Sequence, residues 1–264
     1  MNEYFINHLN TWLRYHDLPG DKTPVVFIHG LGCASSFDYP QVASTGQLTN
    51  HRRILIDLLG AGFSDKPEIF SYTIQAHADY LETFLNDLQL EQFYLYGHSR
   101  GGSIATELAS RFKSKLAGLI LSESNLDSGG GMFSQHVTAT SEPDYLHEGH
   151  QQLIGLSRKS GEYTGRCWAA TLATSQPLAV YRESASLIKG TNPTWRDILY
   201  ALKIPKTYLF GADSQPDPDV QVLAHNGINI GIIPHAGHSI AWENPKGLAN
   251  AIIDAMNTAE NMSR

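Results

Sequence analysis

The chain predicts an α/β fold, with a mostly parallel central sheet, helices on both faces and an inserted helical cap. Short apolar runs alternate with amphipathic stretches over most of the 264 residues. The segment at 126–203 interrupts this alternation, is mostly helical in pattern and is too long for a simple loop. We therefore predict a core at 1–125 and 204–264 and a cap at 126–203, inserted after the sixth predicted strand.

The spacing of apolar residues separates the predicted strands from the predicted helices. The apolar runs are short and rich in Val, Ile, Leu, Phe and Tyr, as buried strands are. The amphipathic stretches carry their apolar residues on one helical face. In chain order we predict strands at 3–7, 11–15, 24–28, 53–57, 93–96, 116–121, 207–210 and 228–233, and helices at 72–88, about 102–112 and about 244–256. The first two strands form a hairpin, and the later ones alternate with helices, which indicates a parallel sheet.

The composition is that of an ordinary globular protein and argues against several classes of protein. The net charge is -7 and there is no basic run, so we expect no nucleic-acid partner. No apolar stretch approaches the roughly 18 residues of a membrane span. The first residues lack a secretory signal pattern, so we expect a cytoplasmic protein. Cys33 and Cys167 are far apart, and His136, His147 and His150 lack convincing metal geometry, so we expect free thiols, no metal and no cofactor.

The pentapeptide Gly97-His98-Ser99-Arg100-Gly101 is the most informative motif. An apolar strand leads into it and a predicted helix leaves it. In that context the Gly-x-Ser-x-Gly pattern forms a nucleophile elbow, a sharp turn that exposes the serine hydroxyl at the carboxyl end of a strand. Small flanking residues let the strand and the helix pack this closely. We therefore predict that Ser99 is a nucleophile.

A serine hydroxyl needs a nearby base, and the base needs a third group to orient it. His238 follows the last predicted strand, and Asp213 follows the strand before it. Because the carboxyl ends of parallel strands meet at one edge of the sheet, both can reach Ser99. The chain order Ser, Asp, His is the order expected with this elbow. We predict a triad of Ser99, His238 and Asp213, with His238 rather than His235 as the base.

Together these motifs resemble the α/β-hydrolase fold superfamily, in particular its capped, single-domain group of serine hydrolases and esterase-like enzymes, which includes carbon–carbon bond hydrolases. The similarity covers residues 11–125 and 204–257. Four motifs carry it in this order: His29-Gly30-Leu31-Gly32, Asp57-Leu58-Leu59-Gly60-Ala61-Gly62-Phe63-Ser64, the elbow, and Gly237-His238-Ser239. The resemblance implies an α/β-hydrolase core with the cap laid over the edge of the sheet where ligands bind.

Two backbone amides are the expected oxyanion hole. The amide of Arg100 directly follows the nucleophile. The resemblance implies the amide of Leu31 as the second donor, in the loop after the strand that ends at His29-Gly30. Each donor of this kind is worth roughly 10²–10³ in rate. We expect His29 to order this loop through hydrogen bonds, and His98 to have no catalytic duty.

Two side chains leave alternatives open. Glu123 follows the strand after the elbow, and in some relatives with this fold the acid that orients the histidine comes from that position. Glu123 is alternatively an ion-pair partner of Arg100, because both lie at the same edge of the sheet. The Arg100 side chain either recognises a substrate carboxylate, as in relatives with an aspartate nucleophile, or has a structural role.

These residues predict a serine hydrolase that cleaves a small ester, thioester or related acyl bond through an acyl-enzyme. The same triad suits a carbon–carbon bond hydrolase, a lyase or an acyltransferase. A ligand-binding receptor or degenerate hydrolase is the third alternative. In each case we expect a small-molecule ligand and a monomer or homodimer.

Overall fold

A computed structural model describes residues 1–112 and 114–262 of the chain and contains one eight-stranded sheet. The strand order is β1-β2-β4-β3-β5-β6-β7-β8. The strands are β1 (Asn2–Ile6), β2 (Thr11–Leu18), β3 (Lys22–Ile28), β4 (His51–Asp57), β5 (Phe93–His98), β6 (Leu116–Ser122), β7 (Lys206–Gly211) and β8 (Asn229–Ile233). All eight lie within a few residues of their predicted positions.

Pairing in the sheet changes from antiparallel to parallel at β4. Strands β1 and β2 form the predicted hairpin, and β2 also pairs antiparallel with β4. Every later pairing, from β4 with β3 to β7 with β8, is parallel. The carboxyl ends of the six parallel strands therefore lie at one edge of the sheet, and the predicted mostly parallel α/β fold is confirmed.

Helices cover both faces of the sheet. They are α1 (Ser35–Asp38), α2 (Pro40–Ala43), α3 (Ile74–Asp87), α4 (Arg100–Arg111), α5 (Met132–Thr138), α6 (Glu142–Asp144), α7 (His150–Lys159), α8 (Tyr163–Leu172), α9 (Pro177–Lys189), α10 (Trp195–Ala201), α11 (Asp219–His225), α12 (Ile240–Glu243) and α13 (Pro245–Met262). One buried cluster joins the sheet to α3, α4 and α10, and a second joins its other face to α2 and α13. The short helices α1, α2 and α11 were not predicted, because four to seven residues contain too few turns to show a period.

Six helices, α5 to α10, lie between β6 and β7, as the predicted insertion requires. Their own buried cluster includes Val137, Ile154 and Trp168 and extends to Leu31 and Cys33 in the loop after β3. The insertion therefore packs directly on the edge of the sheet. The last helix of the segment, α10, packs instead in the cluster of the main sheet. The division of the chain at 126–203 stays a prediction.

No helix within residues 1–112 and 114–262 is both long enough and apolar enough to cross a membrane.

Candidate active site

Ser99 stands on a strained turn between β5 and α4. Its φ is 52° and its ψ is -123°, a conformation that costs energy for any residue other than glycine. Two glycines make the turn possible. A Cβ at Gly97 would lie 2.5 Å from the Gly101 carbonyl oxygen, and a Cβ at Gly101 would lie 2.4 Å from the Ile28 carbonyl oxygen. The strand, the turn and the helix have the geometry that the Gly-x-Ser-x-Gly pattern predicts.

A cavity of about 630 Å³ opens between the carboxyl edge of the sheet and the insertion. Ser99, Leu31, Glu123 and His238 all line it, although they are far apart in sequence. Ser99 and His238, both of which the structure describes, are not joined by a hydrogen bond. Catalytic hydrogen bonds are often loose without substrate. The apolar side chains of the lining are Leu31, Cys33, Tyr39, Met132, Phe133, Trp168, Leu187, Ala241 and Trp242.

His238 lies next to Glu123. Its Nδ1 is 3.6 Å from Oε2 of Glu123, whose side chain is only 10% exposed. The other carboxylate oxygen, Oε1, accepts a hydrogen bond of 2.8 Å from the amide of Gly211. Glu123 has a φ of 46°, which is uncommon for a residue with a side chain, and its carboxylate lies between the end of β7 and His238. The structure therefore assigns the position beside His238 to Glu123.

Asp213 is not brought to His238. Within the described part of the chain, neither a hydrogen bond nor an ion pair joins the Asp213 carboxylate to that histidine, and its side chain is exposed. Asp213 lies in the short 3₁₀ turn Ala212–Ser214 after β7, and its amide donates to the Ala236 carbonyl at 2.9 Å. This turn holds the backbone of Asp213 near the loop of His238 while its side chain faces solvent. Asp213 therefore lies at the end of β7, as predicted, but its carboxylate does not contact His238. Glu123 makes that contact instead.

The two amides predicted to form the oxyanion hole both lie close to Ser99 in the fold: Arg100 follows it directly at the start of α4, and Leu31 lines the same cavity as Ser99. Arg100 is the first residue of α4, so its N–H has no carbonyl of the same helix to bond. The N–H of Leu31 makes no hydrogen bond to another residue that the structure describes. Two such donors near a serine that lines a cavity are the arrangement expected to stabilise a tetrahedral oxyanion.

The side chain of Arg100 points away from the cavity and is fully buried. It forms an ion pair with Glu183 of α9, so the predicted pairing with Glu123 is wrong. Arg100 is not among the residues that line the cavity, so the structure favours the structural alternative for this side chain over recognition of a substrate carboxylate. The pairing with Glu123 failed because the turn at Ser99 sends the Arg100 side chain beneath the loop after β3.

Glu183 is a site residue that sequence reasoning missed. It lies on one face of α9 with Ala179 and Leu187, all three buried. A carboxylate at the centre of an apolar helical face is a signal for a buried partner, because a buried charge must be paired. His77 of α3 is the second partner, with Nε2 at 3.0 Å from Oε1 of Glu183.

His29 is fully buried beside the elbow, with its Nδ1 3.2 Å from Nη2 of Arg100. His29 accepts a hydrogen bond from the Leu58 amide at Nε2, so its proton is on Nδ1, which donates to the Gly30 carbonyl at 2.9 Å. Burial, with the nearby Arg100, holds the pKa of His29 well below its usual range, so the ring is neutral. His29 thus orders the loop after β3 through hydrogen bonds, as expected.

His98 packs its ring against that of His238, with centroids 5.0 Å apart. Burial, helped by His238, lowers the pKa of His98 to about 3. Its Nδ1 is hydrogen bonded to the Ser122 hydroxyl at 3.0 Å. The uncharged ring of His98 therefore packs against the ring of His238, a contact that sequence reasoning did not predict.

Asp38 is a buried carboxyl group in the cavity wall. It is 5% exposed, and its Oδ1 has no hydrogen-bond partner among the described residues. Burial raises the pKa of Asp38 to about 8, although contacts with the Cys33 thiol and the Trp242 indole lower it. The side chain is therefore protonated at neutral pH. Among residues 1–112 and 114–262, no cluster of three or more His, Cys, Asp or Glu side chains is arranged to hold a metal.

The sequence matches the family model for the α/β hydrolase fold over residues 23–136. It is 36% identical over 274 residues to the mesoderm-specific transcript homolog protein of Bos taurus, covering 90% of this chain and 80% of that protein. It is 31% identical over 107 residues to the 2-hydroxy-6-oxo-2,4-heptadienoate hydrolase of Pseudomonas putida, covering 40% of this chain and 38% of that enzyme. A solved thermophilic esterase from Thermogutta terrifontis has a TM-score of 0.77 and 23% identity, covering 94% of each chain.

Proposed function

Because the chain belongs to the α/β-hydrolase fold family, we propose that it is a serine hydrolase that cleaves small, uncharged carboxylic esters. The partial match to the 2-hydroxy-6-oxo-2,4-heptadienoate hydrolase and the fold of a solved esterase are consistent with hydrolysis. The observation that carries the proposal is the meeting of Ser99, His238 and Glu123 in one cavity, with two unbonded amides beside the serine. We propose Glu123, rather than Asp213, as the acid.

The proposed reaction has two steps. Ser99 Oγ attacks the ester carbonyl carbon while Nε2 of His238 takes the hydroxyl proton, and the carbonyl oxygen becomes an anion held by the amides of Leu31 and Arg100. His238 then protonates the leaving alkoxide, and the alcohol departs from an acyl-enzyme. Water, deprotonated by His238, attacks the acyl-enzyme, and the acid and free Ser99 are released. Glu123 accepts the Nδ1 proton in a hydrogen bond and stabilises the imidazolium form throughout.

The charge of the lining favours an uncharged substrate. Glu123 and Glu162 are acidic lining residues, and no Lys or Arg lies among the described residues that form the cavity. A carboxylate in this space would find no cation to pair with, and burying an unpaired charge is costly. This disfavours the carbon–carbon alternative for an anionic substrate, such as the dienoate in the name of the Pseudomonas putida relative. The apolar side chains of the lining suit a short acyl or aryl group.

The experiment is hydrolysis of p-nitrophenyl acetate and butyrate by the native protein and by Ser99→Ala. We expect Ser99→Ala to lose more than about 10³-fold in kcat, and a fluorophosphonate probe to label the native protein at Ser99. The matched control is Ser110→Ala. That serine lies in the same helix as Arg100, and its hydroxyl donates to the Glu107 carbonyl at 2.7 Å. Equal activity in Ser99→Ala and Ser110→Ala would disprove the proposal.

A further inference from the structure

The peptide that joins Gly30 to Leu31 carries one proposed oxyanion donor and is held from its other side. A peptide bond is planar and trans, so the carbonyl of Gly30 and the N–H of Leu31 point in opposite directions. The Gly30 carbonyl accepts hydrogen bonds from Nη2 of Arg100 at 3.0 Å, from Nδ1 of His29 at 2.9 Å and, at the longer distance of 3.4 Å, from the amide of Cys33. Whatever holds this carbonyl also fixes the direction of the Leu31 N–H.

The guanidinium of Arg100 is anchored to the insertion. Its Nη1 forms the ion pair with Oε1 of Glu183, whose side chain is 3% exposed. Nε2 of His77 lies 3.0 Å from the same oxygen, and the Tyr80 hydroxyl lies 3.0 Å from Nδ1 of His77. Burial lowers the pKa of His77, so this ring is neutral and the two charges of the Arg100–Glu183 pair cancel. Such a buried ion pair fixes the position of the guanidinium, because breaking the pair leaves a buried charge without a partner.

The insertion holds the same loop at two further carbonyls. Nε1 of Trp168 donates to the Leu31 carbonyl at 2.9 Å, and the Thr171 hydroxyl donates to the Gly32 carbonyl at 2.9 Å. Both donors lie on α8, whereas Glu183 lies on α9. Two helices of the insertion therefore determine the conformation of the loop that bears the Leu31 amide.

We propose that the Arg100 side chain is a positioning group for the oxyanion hole, and that Glu183 connects the hole to the insertion. The inference rests on the proposed function. Arg100 then serves both donors, since its own N–H is one of them and its side chain orients the other. Loss of the guanidinium removes one of the three hydrogen bonds that hold the Gly30 carbonyl, so the peptide between Gly30 and Leu31 is less firmly held and the Leu31 N–H is directed less well at the carbonyl oxygen of the substrate.

The test is the double variant Arg100→Met/Glu183→Gln, assayed with p-nitrophenyl butyrate. It removes both charges together and leaves an acceptor for His77, so no buried charge is unpaired. We expect kcat to fall by about 10–10²-fold, less than for a donor that is lost completely because His29 and Cys33 still hold the Gly30 carbonyl, with KM within about twofold of the native value. Affinity for a trifluoromethyl ketone, which forms an oxyanion adduct on Ser99, should fall by the same factor as kcat/KM.

The control is Arg182→Met, on the same helix as Glu183. Arg182 pairs with Glu142 at 3.1 Å and does not contact the loop of Leu31. It loosens the insertion without touching the peptide, so kcat should stay within about twofold of native. An equal loss of kcat in Arg182→Met and in the double variant would overturn the inference, because a general loosening of the insertion would then explain both.

A native kcat in the folded double variant also overturns the inference. The proposed function survives that result provided that Ser99→Ala is inactive, so the two failures are distinguishable. If the double variant does not fold, Glu183→Gln alone decides. It keeps the shape and the acceptor but loses the charge that anchors Arg100, and we expect kcat to fall about three- to tenfold at unchanged KM. An unchanged kcat in this variant contradicts the proposal.

Discussion

Oε2 of Glu123 lies 3.6 Å from Nδ1 of His238, while Oε1 of the same carboxylate accepts a hydrogen bond from the amide of Gly211. The carboxylate is thus held by the backbone of β7 before it meets the histidine. A carboxylate at Nδ1 leaves Nε2 available to face the serine hydroxyl. The strained backbone of Glu123, with a φ of 46°, is the conformational cost of this placement.

The first prediction concerns which of the two acidic residues, Glu123 or Asp213, orients His238. Glu123→Gln should lower kcat/KM for p-nitrophenyl butyrate by about 10²–10⁴-fold, because the glutamine neither stabilises the imidazolium nor keeps its tautomer. Asp213→Asn is the matched change and should stay within about twofold of native, since the Asp213 side chain is exposed and does not contact His238. Steady-state kinetics of both variants are the measurement. The reverse ranking would return the acid to Asp213.

The second prediction concerns the packing of the elbow. Gly101→Ala should destabilise the protein by about 1–3 kcal/mol, because the new Cβ would meet backbone oxygens of the neighbouring strand end that cannot move aside. Gly155→Ala, in α7, has nothing within 4 Å of its Cβ and should stabilise the protein by about 0.5–1 kcal/mol. Thermal unfolding of both variants measures this. Equal shifts in Tm would refute the argument from close packing.

The third prediction concerns the buried carboxyl group of Asp38. Burial raises its pKa to about 8, so the folded protein keeps this proton while the unfolded chain releases it above about pH 4. Deprotonation favours the unfolded state, so this group's contribution to stability is present at low pH and is lost as pH rises through about 8.

Asp38→Asn removes that dependence. The free energy of unfolding of Asp38→Asn minus that of the native protein should increase between pH 5.5 and 8, by up to about 1.4 kcal/mol for each pH unit. Above pH 8 this difference should be constant. Urea unfolding at several pH values is the measurement. Parallel curves for the two proteins would show that Asp38 titrates normally.

The fourth prediction concerns the charge of the substrate. Esters whose acyl chain ends in a carboxylate should have kcat/KM at least about tenfold below that of uncharged esters of equal length, because acidic side chains line the cavity without a compensating cation among the described lining residues. Glu162→Gln should raise kcat/KM for the anionic ester and leave kcat/KM for the neutral ester unchanged. Equal rates for the two esters in the native protein would contradict this account of the cavity.

Local patterns were sufficient for most of the elements of the fold. The apolar runs at 24–28 and 93–96 fall within β3 and β5. Short runs of large apolar residues bounded by turn signals are typical of buried strands, so the sequence pattern was sufficient to locate both. The helix predicted at 72–88 is α3, which begins after Thr73, whose hydroxyl accepts from the Ala76 amide at 3.1 Å. Periodicity and capping act within a few residues and can be seen in the sequence.

The site was predictable only in part. The sequence indicated Ser99 and His238 as candidates, because a strained elbow and a loop at the end of a strand are local features with recognisable residues. Glu123 and Asp213 could not be separated, because both follow parallel strands and the sequence does not show which way each turn directs its side chain. A φ of 46° at one and a short 3₁₀ turn at the other make that difference.

The sequence by itself therefore determined the order of strands and helices along the chain, the elbow, and Ser99 and His238 as two candidate residues, which line the same cavity. Only the tertiary structure decided which carboxylate meets His238, and that Arg100 pairs with Glu183, 83 positions along the chain. The physical reason is that a buried charge takes its partner from whichever element packs nearest to it. That distance depends on how the insertion folds onto the sheet, and no local pattern encodes it.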